Sequence, residues 1–244
     1  MSHYLHYLEQ VQALLEKAKE QAGTSIEEAA EWIAERIASG GVLYVFGPSH
    51  AGLMVQDLFY RAGGLLPVEP ILPNELMLNV RPITRTTQME RLSGYADVVL
   101  REKDLQSEDI LLIASVSGRN PVVTEMCTAA QKRGARVIAL TNTTYARSVS
   151  ARGKGRLFEL ANLVIDLPGV VGDAMIELEG LEQRTGPSST TVGTAILQGL
   201  MVEVTAKLLA RGLRPPILVS ANLDHGDRSN EQLFAVYRDR LSYL

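Results

Sequence analysis

Two segments of this chain combine glycine with hydroxyls between an apolar run and a helical pattern: GPSHAG at 47–52 and SVSGRNP at 115–121. Glycine lets backbone approach a ligand, the hydroxyls of Ser49, Ser115 and Ser117 can donate, and the first N–H groups of a following helix favour an anion. A third cluster, GPSSTT at 186–191, sets Ser188, Ser189 and Thr190 ahead of a long apolar helix, with more hydroxyls than a cap requires. Arg119 stands where a helix begins, where a cation opposes the helix dipole unless an anion is present, so a phosphate clamp is the favoured role. The competing reading is that Gly47 and Gly118 turn the chain and the serines cap helices. Neither loop continues into the GKS or GKT of a nucleotide-binding loop, and GPSHAG lacks the third glycine of a dinucleotide fingerprint. There is no G-x-S-x-G elbow of a serine hydrolase, and no compact His, Asp and Glu spacing beyond the two-carboxylate DHGD at 224–227. No metal and no cofactor are expected.

The elements that would position these loops alternate. Val42–Phe46 reads as a strand and Leu53–Phe59 as a helix; Leu65–Ile71 reads as a second strand that Pro67 and Pro70 place at an edge or cut short. Thr84–Leu92 fits a helix, and 95–105 carries DVVL, which fits either state. Ile110–Ser115, a helix over 122–133 and a strand at 137–140 form a βαβ unit. A polar crossing follows over 141–156, then a buried strand at 163–167, a strongly apolar helix at 191–209 and a last amphipathic helix carrying Leu233, Val236, Tyr237 and Leu241. The first forty residues read as two helices: one has the stripe Leu5, Leu8, Val11, Leu15 and Ala18, and the other starts at a capping box from Ser25 to Glu28. The pattern predicts an α/β fold, a three-layer αβα sandwich on a five-stranded parallel sheet in the flavodoxin-like order 2-1-3-4-5. Residues 1–39 are then a helical extension packing on the domain or a partner, 40–212 the binding domain, and 213–244 a loop and helix completing it. In that order the switch point lies between the first and third strands, whose exits are the first two loops.

Composition narrows the classes further. Of 244 residues, 46% are hydrophobic and only 5% aromatic, with formal net charge −4, which argues against a nucleic-acid platform of basic stripes and stacking rings. Cys127 stands alone, so no disulfide framework is available. No apolar run reads as a membrane span and the first residues lack a signal-peptide layout, so the expected setting is the cytoplasm, away from membranes.

The run ILLIASVSGRNPVVTEMCTAAQKRGARVIALTN resembles the core of the sugar isomerase (SIS) domain, in which a strand ending in S-x-S-G opens a helix and a second strand ends in T-N. GPSHAG and GPSSTT stand where that family has its other Gly/Ser and Ser/Thr loops, and the resemblance covers about residues 30–212. Its SGRNP is similar to the SGR-x-P of the N-acetylmuramic acid 6-phosphate etherases, although GPSHAG departs from their first loop. The chain is also similar to phosphoheptose isomerases and to small bacterial SIS proteins of this length. The resemblance implies a phosphorylated sugar held by Ser49, Ser115, Ser117, Ser188, Ser189 and Thr190, to which the helix-start argument adds Arg119; the expected assembly is a homodimer or homotetramer. The resemblance also implies aldose–ketose isomerisation of a sugar phosphate, amino sugars included, through an enediol. The alternatives are an etherase-like elimination and a non-catalytic phosphosugar-sensing regulator.

Isomerisation and elimination both begin by removing a proton beside a carbonyl or masked carbonyl, and need a base tuned towards neutrality. The carboxylates near strand exits are Glu69, Glu75 and Glu90. Glu90 is the first candidate because it lies roughly where the etherases carry an acidic residue, and Glu69 is the second. Of the histidines, His50 lies in the first glycine loop and His225 in DHGD, each available for ring opening or proton relay, the latter in a neighbouring subunit's site. The competing role for His225 is a loop hydrogen bond to Asp224 or Asp227.

Overall fold

The structure is a computed structural model and describes residues 2–244. Five short strands, β1 (Leu43–Phe46), β2 (Val68–Ile71), β3 (Ile110–Ala114), β4 (Arg136–Thr141) and β5 (Leu163–Asp166), form a parallel sheet in the order β2-β1-β3-β4-β5. The register is set by Leu43 beside Val68 and Ile110, Ile110 beside Arg136, and Ile138 beside Leu163. Successive side chains of a strand face opposite ways. Leu43, Val45, Leu112 and Leu140 therefore enter a core shared with helices α1 (His3–Ala38), α2 (Ala51–Leu58) and α8 (Ser189–Ala210). Tyr44, Phe46, Leu111 and Ala139 enter a second core with α4 (Tyr95–Arg101), α5 (Pro121–Lys132) and the carboxyl-terminal residues that follow α9 (Gly226–Tyr237). Burial on both faces is why the central strands read as unbroken apolar runs. This is the α/β arrangement, with the 2-1-3-4-5 strand order, that the sequence predicts.

Several elements differ from expectation. The first forty residues form one helix of 36 residues, not two. Gly23 weakens a helix by only about 1 kcal/mol, and Ala18, Ala22, Ala29, Ala30 and Ile33 make one buried stripe against α8 that carries the helix through it. The segment 95–101 is helical, and the polar crossing contains two short helices, α6 (Thr143–Ser148) and α7 (Leu157–Leu160). Between β5 and α8 runs an unforeseen antiparallel ribbon, β6 (Ala174–Ile176) with β7 (Thr185–Pro187). The helix expected over 84–92 is present as a short α3 (Thr84–Glu90) ahead of α4.

Apolar by composition and long enough to cross a membrane, α8 instead buries Val192, Leu197, Leu200, Val204 and Leu208 in the first core. β2 and β5 are the edges. The β2 edge is covered by the end of the chain, where the Ser242 N–H donates to Glu69 Oε2 at 2.9 Å and the Tyr243 hydroxyl to the Leu66 carbonyl at 3.0 Å.

Candidate functional site

The loops that follow β1 and β3 leave adjacent strands at their carboxyl ends. Ser49 adopts a left-handed φ of 55°, uncommon away from glycine, and its N–H is taken by the Leu76 carbonyl at 2.7 Å. His50 follows it on the surface, ahead of α2. In the second loop the Ser115 N–H bonds the Leu140 carbonyl at 3.0 Å. The next amides behave differently. Gly118 is left-handed at φ 56°, with its Cα so close to α7 that an added Cβ would stand 3.0 Å from the Leu157 Cβ. Among the described residues, the N–H groups of Ser117, Gly118, Arg119 and Asn120 have no protein acceptor. Successive free donors ending at the first turn of a helix are groups able to receive an anion.

Beside these amides stands Glu90, the last residue of α3. Its Oε2 accepts from the Asn120 side-chain amide at 2.6 Å, and Asn120 Oδ1 in turn accepts from Arg152 Nη1 at 2.9 Å. Burial pushes the Glu90 carboxyl above its ordinary value; the Asn120 hydrogen bond and the charges of Arg91, Arg152 and His50 hold the rise back. A carboxylate shifted towards neutrality next to an anion site is what proton abstraction from a phosphorylated substrate requires. Arg119 Nη2 donates to Ser150 Oγ at 3.1 Å, while its Nε is buried with no acceptor. The sequence pointed to Glu90, His50, Ser117 and Arg119, and the structure brings them to one end of the sheet. It also adds Asn120, Arg91 and Arg152. Asn120 was visible inside SVSGRNP as the residue before the helix-initiating Pro121; Arg152 lay in the stretch read only as a polar crossing.

The third hydroxyl cluster is already engaged. Asp173, left-handed at φ 70°, accepts at Oδ1 from the N–H groups of Ser188 and Ser189 at 3.1 and 2.8 Å, and at Oδ2 from the Ser189 hydroxyl at 2.7 Å. The ribbon register explains this, because Ala174 pairs with Pro187 and so sets residues 173 and 188 side by side. A carboxylate from across the ribbon thus caps α8, which has no cap of its own. Thr190 is half-buried in the first turn of that helix. Asp173 carried no signal in the sequence, since its contact depends on a non-local pairing.

Two named candidates lie elsewhere. Glu69 is the second residue of β2, not its exit, and is buried beside Lys103 Nζ at 2.7 Å and the Ser242 N–H, so its carboxylate closes a sheet edge. His225 is exposed before α9, in a segment tied to the amino end of β2, where Leu218 exchanges hydrogen bonds with Gly63 and Gly64 and Ile217 bridges to Leu65. That is the opposite end of the sheet from the loops of its own chain. Glu75 is exposed and accepts from the Tyr95 hydroxyl at 3.0 Å. No group of three or more His, Cys, Asp or Glu side chains is placed to hold a metal ion among the described residues.

Comparison with known proteins agrees with this fold. Residues 6–142 match the family model described as the SIS domain. The UPF0309 protein of Shouchella clausii is 41% identical, covering 100% of both chains, and that of Oceanobacillus iheyensis is 40% identical with the same coverage. Among solved structures, a phosphoheptose isomerase from Neisseria gonorrhoeae superposes with TM-score 0.56 at 15% identity, covering 83% of this chain and 97% of the other. One from Francisella tularensis gives 0.55 at 16% identity, covering 82% and 95%. At such identities the likeness is one of fold.

Proposed function

Since this chain belongs to the SIS domain family and groups within it with the UPF0309 proteins, we propose that it binds a phosphorylated sugar and interconverts its aldose and ketose forms through an enediol. The observation that carries this reading is the placement of Glu90 beside the free amides of residues 117–120. Those amides and Arg119 hold the phosphate. Glu90 removes the proton at C2 and returns it at C1 while the proton of the C2 hydroxyl passes to the C1 oxygen, so no net proton is taken up. Asn120 keeps the carboxylate oriented between the two transfers, and His50 assists ring opening. Ser49, Ser115 and Ser117 address the sugar hydroxyls from two sides. Ser188 and Ser189 hold Asp173 in place at the end of α8, and Thr190 alone of that cluster is left to reach the sugar.

The reading includes assembly into at least a homodimer through the amino-terminal half of α1, where Tyr4, Leu5 and Leu8 are exposed; sedimentation that gives a single-chain mass at micromolar concentration would refute it.

The decisive experiment pairs calorimetric binding with NMR-followed turnover over a panel of sugar phosphates. Glu90→Gln should lower turnover of the best substrate by about 10²–10⁴-fold and leave its affinity within about tenfold. Binding without turnover by the unaltered protein would replace isomerisation with phosphosugar sensing. No binding of any sugar phosphate at millimolar concentration would sink the reading altogether.

A further inference from the structure

Asn120 does not do what its position calls for. It stands at the N-cap of α5 with the extended backbone of a cap, φ −79° and ψ 147°, yet its side chain makes no bond to the helix. Asparagine is among the best capping residues because its Oδ1 accepts from the first free amides. Here Oδ1 is turned away, to Arg152 Nη1 at 2.9 Å, and Nδ2 goes to Glu90 Oε2 at 2.6 Å. The two neighbours fix the sense of this chain of bonds. A guanidinium only donates and a carboxylate only accepts, so the Asn120 amide satisfies both in one orientation, with its oxygen to Arg152 and its nitrogen to Glu90.

Arg152 reaches the same residue through the backbone as well. Its N–H donates to the Arg119 carbonyl at 3.0 Å, and further along the crossing loop the Leu157 N–H donates to the Gly118 carbonyl at 2.8 Å. In a trans peptide the C=O and the following N–H point opposite ways. Holding both carbonyls against the loop therefore turns the N–H groups of Arg119 and Asn120 away from it, to the side on which they are free. The loop is closely seated: at Gly153 an added Cβ would stand 2.9 Å from Thr124 Oγ1 and 3.5 Å from the Pro121 Cα. At its start, Ser150 Oγ accepts from Arg119 Nη2 at 3.1 Å.

We infer that Arg152 is a positioning residue for the proton transfer: its side chain locks the Asn120 amide so that Glu90 always meets an N–H donor, and its backbone N–H turns the Asn120 amide proton towards the phosphate. This deepens the isomerase reading and rests on it. Without the Arg152 side chain, Asn120 Oδ1 is released to cap α5 or to rotate towards Glu90, where it accepts from the protonated carboxyl and favours that form. The other charged groups around Glu90 are Arg91, next to it in the chain, and His50, from the loop after β1; neither bonds Asn120 among the described residues.

The test is a carbon-13 NMR titration of the Glu90 carboxyl in the ligand-free protein, assigned by its loss in Glu90→Gln, set beside the pH profile of turnover. Arg152→Gln should raise the Glu90 midpoint by about half a pH unit or more. The acid limb of kcat/KM, which reports the free enzyme, should move up with it. KM at the optimum should hold within about threefold, because the backbone N–H remains. Arg152 is exposed, so its substitution leaves the cores untouched. Action through Asn120 is read from a double-mutant cycle. In an Asn120→Ala background, or Asn120→Ser if alanine impairs folding, the same Arg152→Gln change should move the midpoint less than half as far. An equal shift in both backgrounds would mean that Arg152 acts by its charge alone, and that result, or no shift in either, overturns the inference and leaves isomerisation standing. A parent protein that turns over no sugar phosphate overturns the isomerase reading and the positioning role with it, whatever the carboxyl titration gives.

Discussion

Asp109, Glu69 and Glu90 are carboxylates drawn in from the surface, and they are treated in two ways. Asp109, at the amino end of β3 and wholly buried, is matched by Arg36 Nε at 2.7 Å and the Gln106 N–H at 2.8 Å. Glu69 on the β2 edge is matched by Lys103 and Ser242. Each has a cation in contact and a backbone donor, which is what a buried charge needs if it is to stay charged. Glu90, at the carboxyl end, has a neutral amide as its only hydrogen-bond donor and no cation in salt-bridge contact among the described residues. The first two hold structure together. Glu90 is left with unmet basicity, and it is the one that faces the free amides.

The contrast can be attacked from its strongest side first. Asp109→Ala strands the Arg36 guanidinium in the interior and should destabilise the fold by about 3–5 kcal/mol, seen as a fall in the thermal midpoint of roughly 6–20 °C. A fall under about 2 °C would mean that the pair is not structural. Glu69→Gln leaves Lys103 without its anion and loosens the tail, for a loss of about 1–3 kcal/mol in denaturant titration. Turnover per folded molecule should hold. If it drops a hundredfold instead, Glu69 has been misassigned and the base is not Glu90.

The smallest effect concerns Glu90 itself and is a matter of sign. The folded protein holds this proton more tightly than the unfolded chain does, so stability is fully present below the ordinary carboxylate value of about 4.3 and is lost as pH rises through the raised value. Glu90→Gln removes that loss. Its midpoint should exceed the parent's by roughly 1–3 °C at pH 8 and match it near pH 4; an unchanged difference across that range would show that Glu90 is not shifted upward.

What the sequence disclosed follows from the range of the forces involved. Strands buried on both faces declare themselves by composition, and with glycine stops between them the strands and their exits could be read directly, while the order of the sheet came from the flavodoxin-like arrangement such alternation implies. Ser117 and Arg119 were singled out by local motif and helix-start chemistry, and Glu90 by its likeness in position to an acidic residue of the etherases. The single helix α1 was not legible, because local capping signals at Ser25 and Glu28 are overruled by a long alanine-rich contact with α8. Nor were Arg152 and Asp173, whose roles come from a loop crossing over α5 and from the register of a ribbon. Glu69 misled for the same reason: a carboxylate beside a strand exit looks identical in sequence whether it meets a substrate or a lysine.

The closure of the β2 edge also fixes an order of events during synthesis. Glu69 meets Lys103 across 34 residues, but Ser242 only across 173. At about 5–20 residues per second, translation leaves that edge uncovered for roughly 10–35 seconds after β2 has emerged. For that interval the guard against mispairing with another chain is Pro70 within the strand, since it cannot donate a hydrogen bond to an incoming strand.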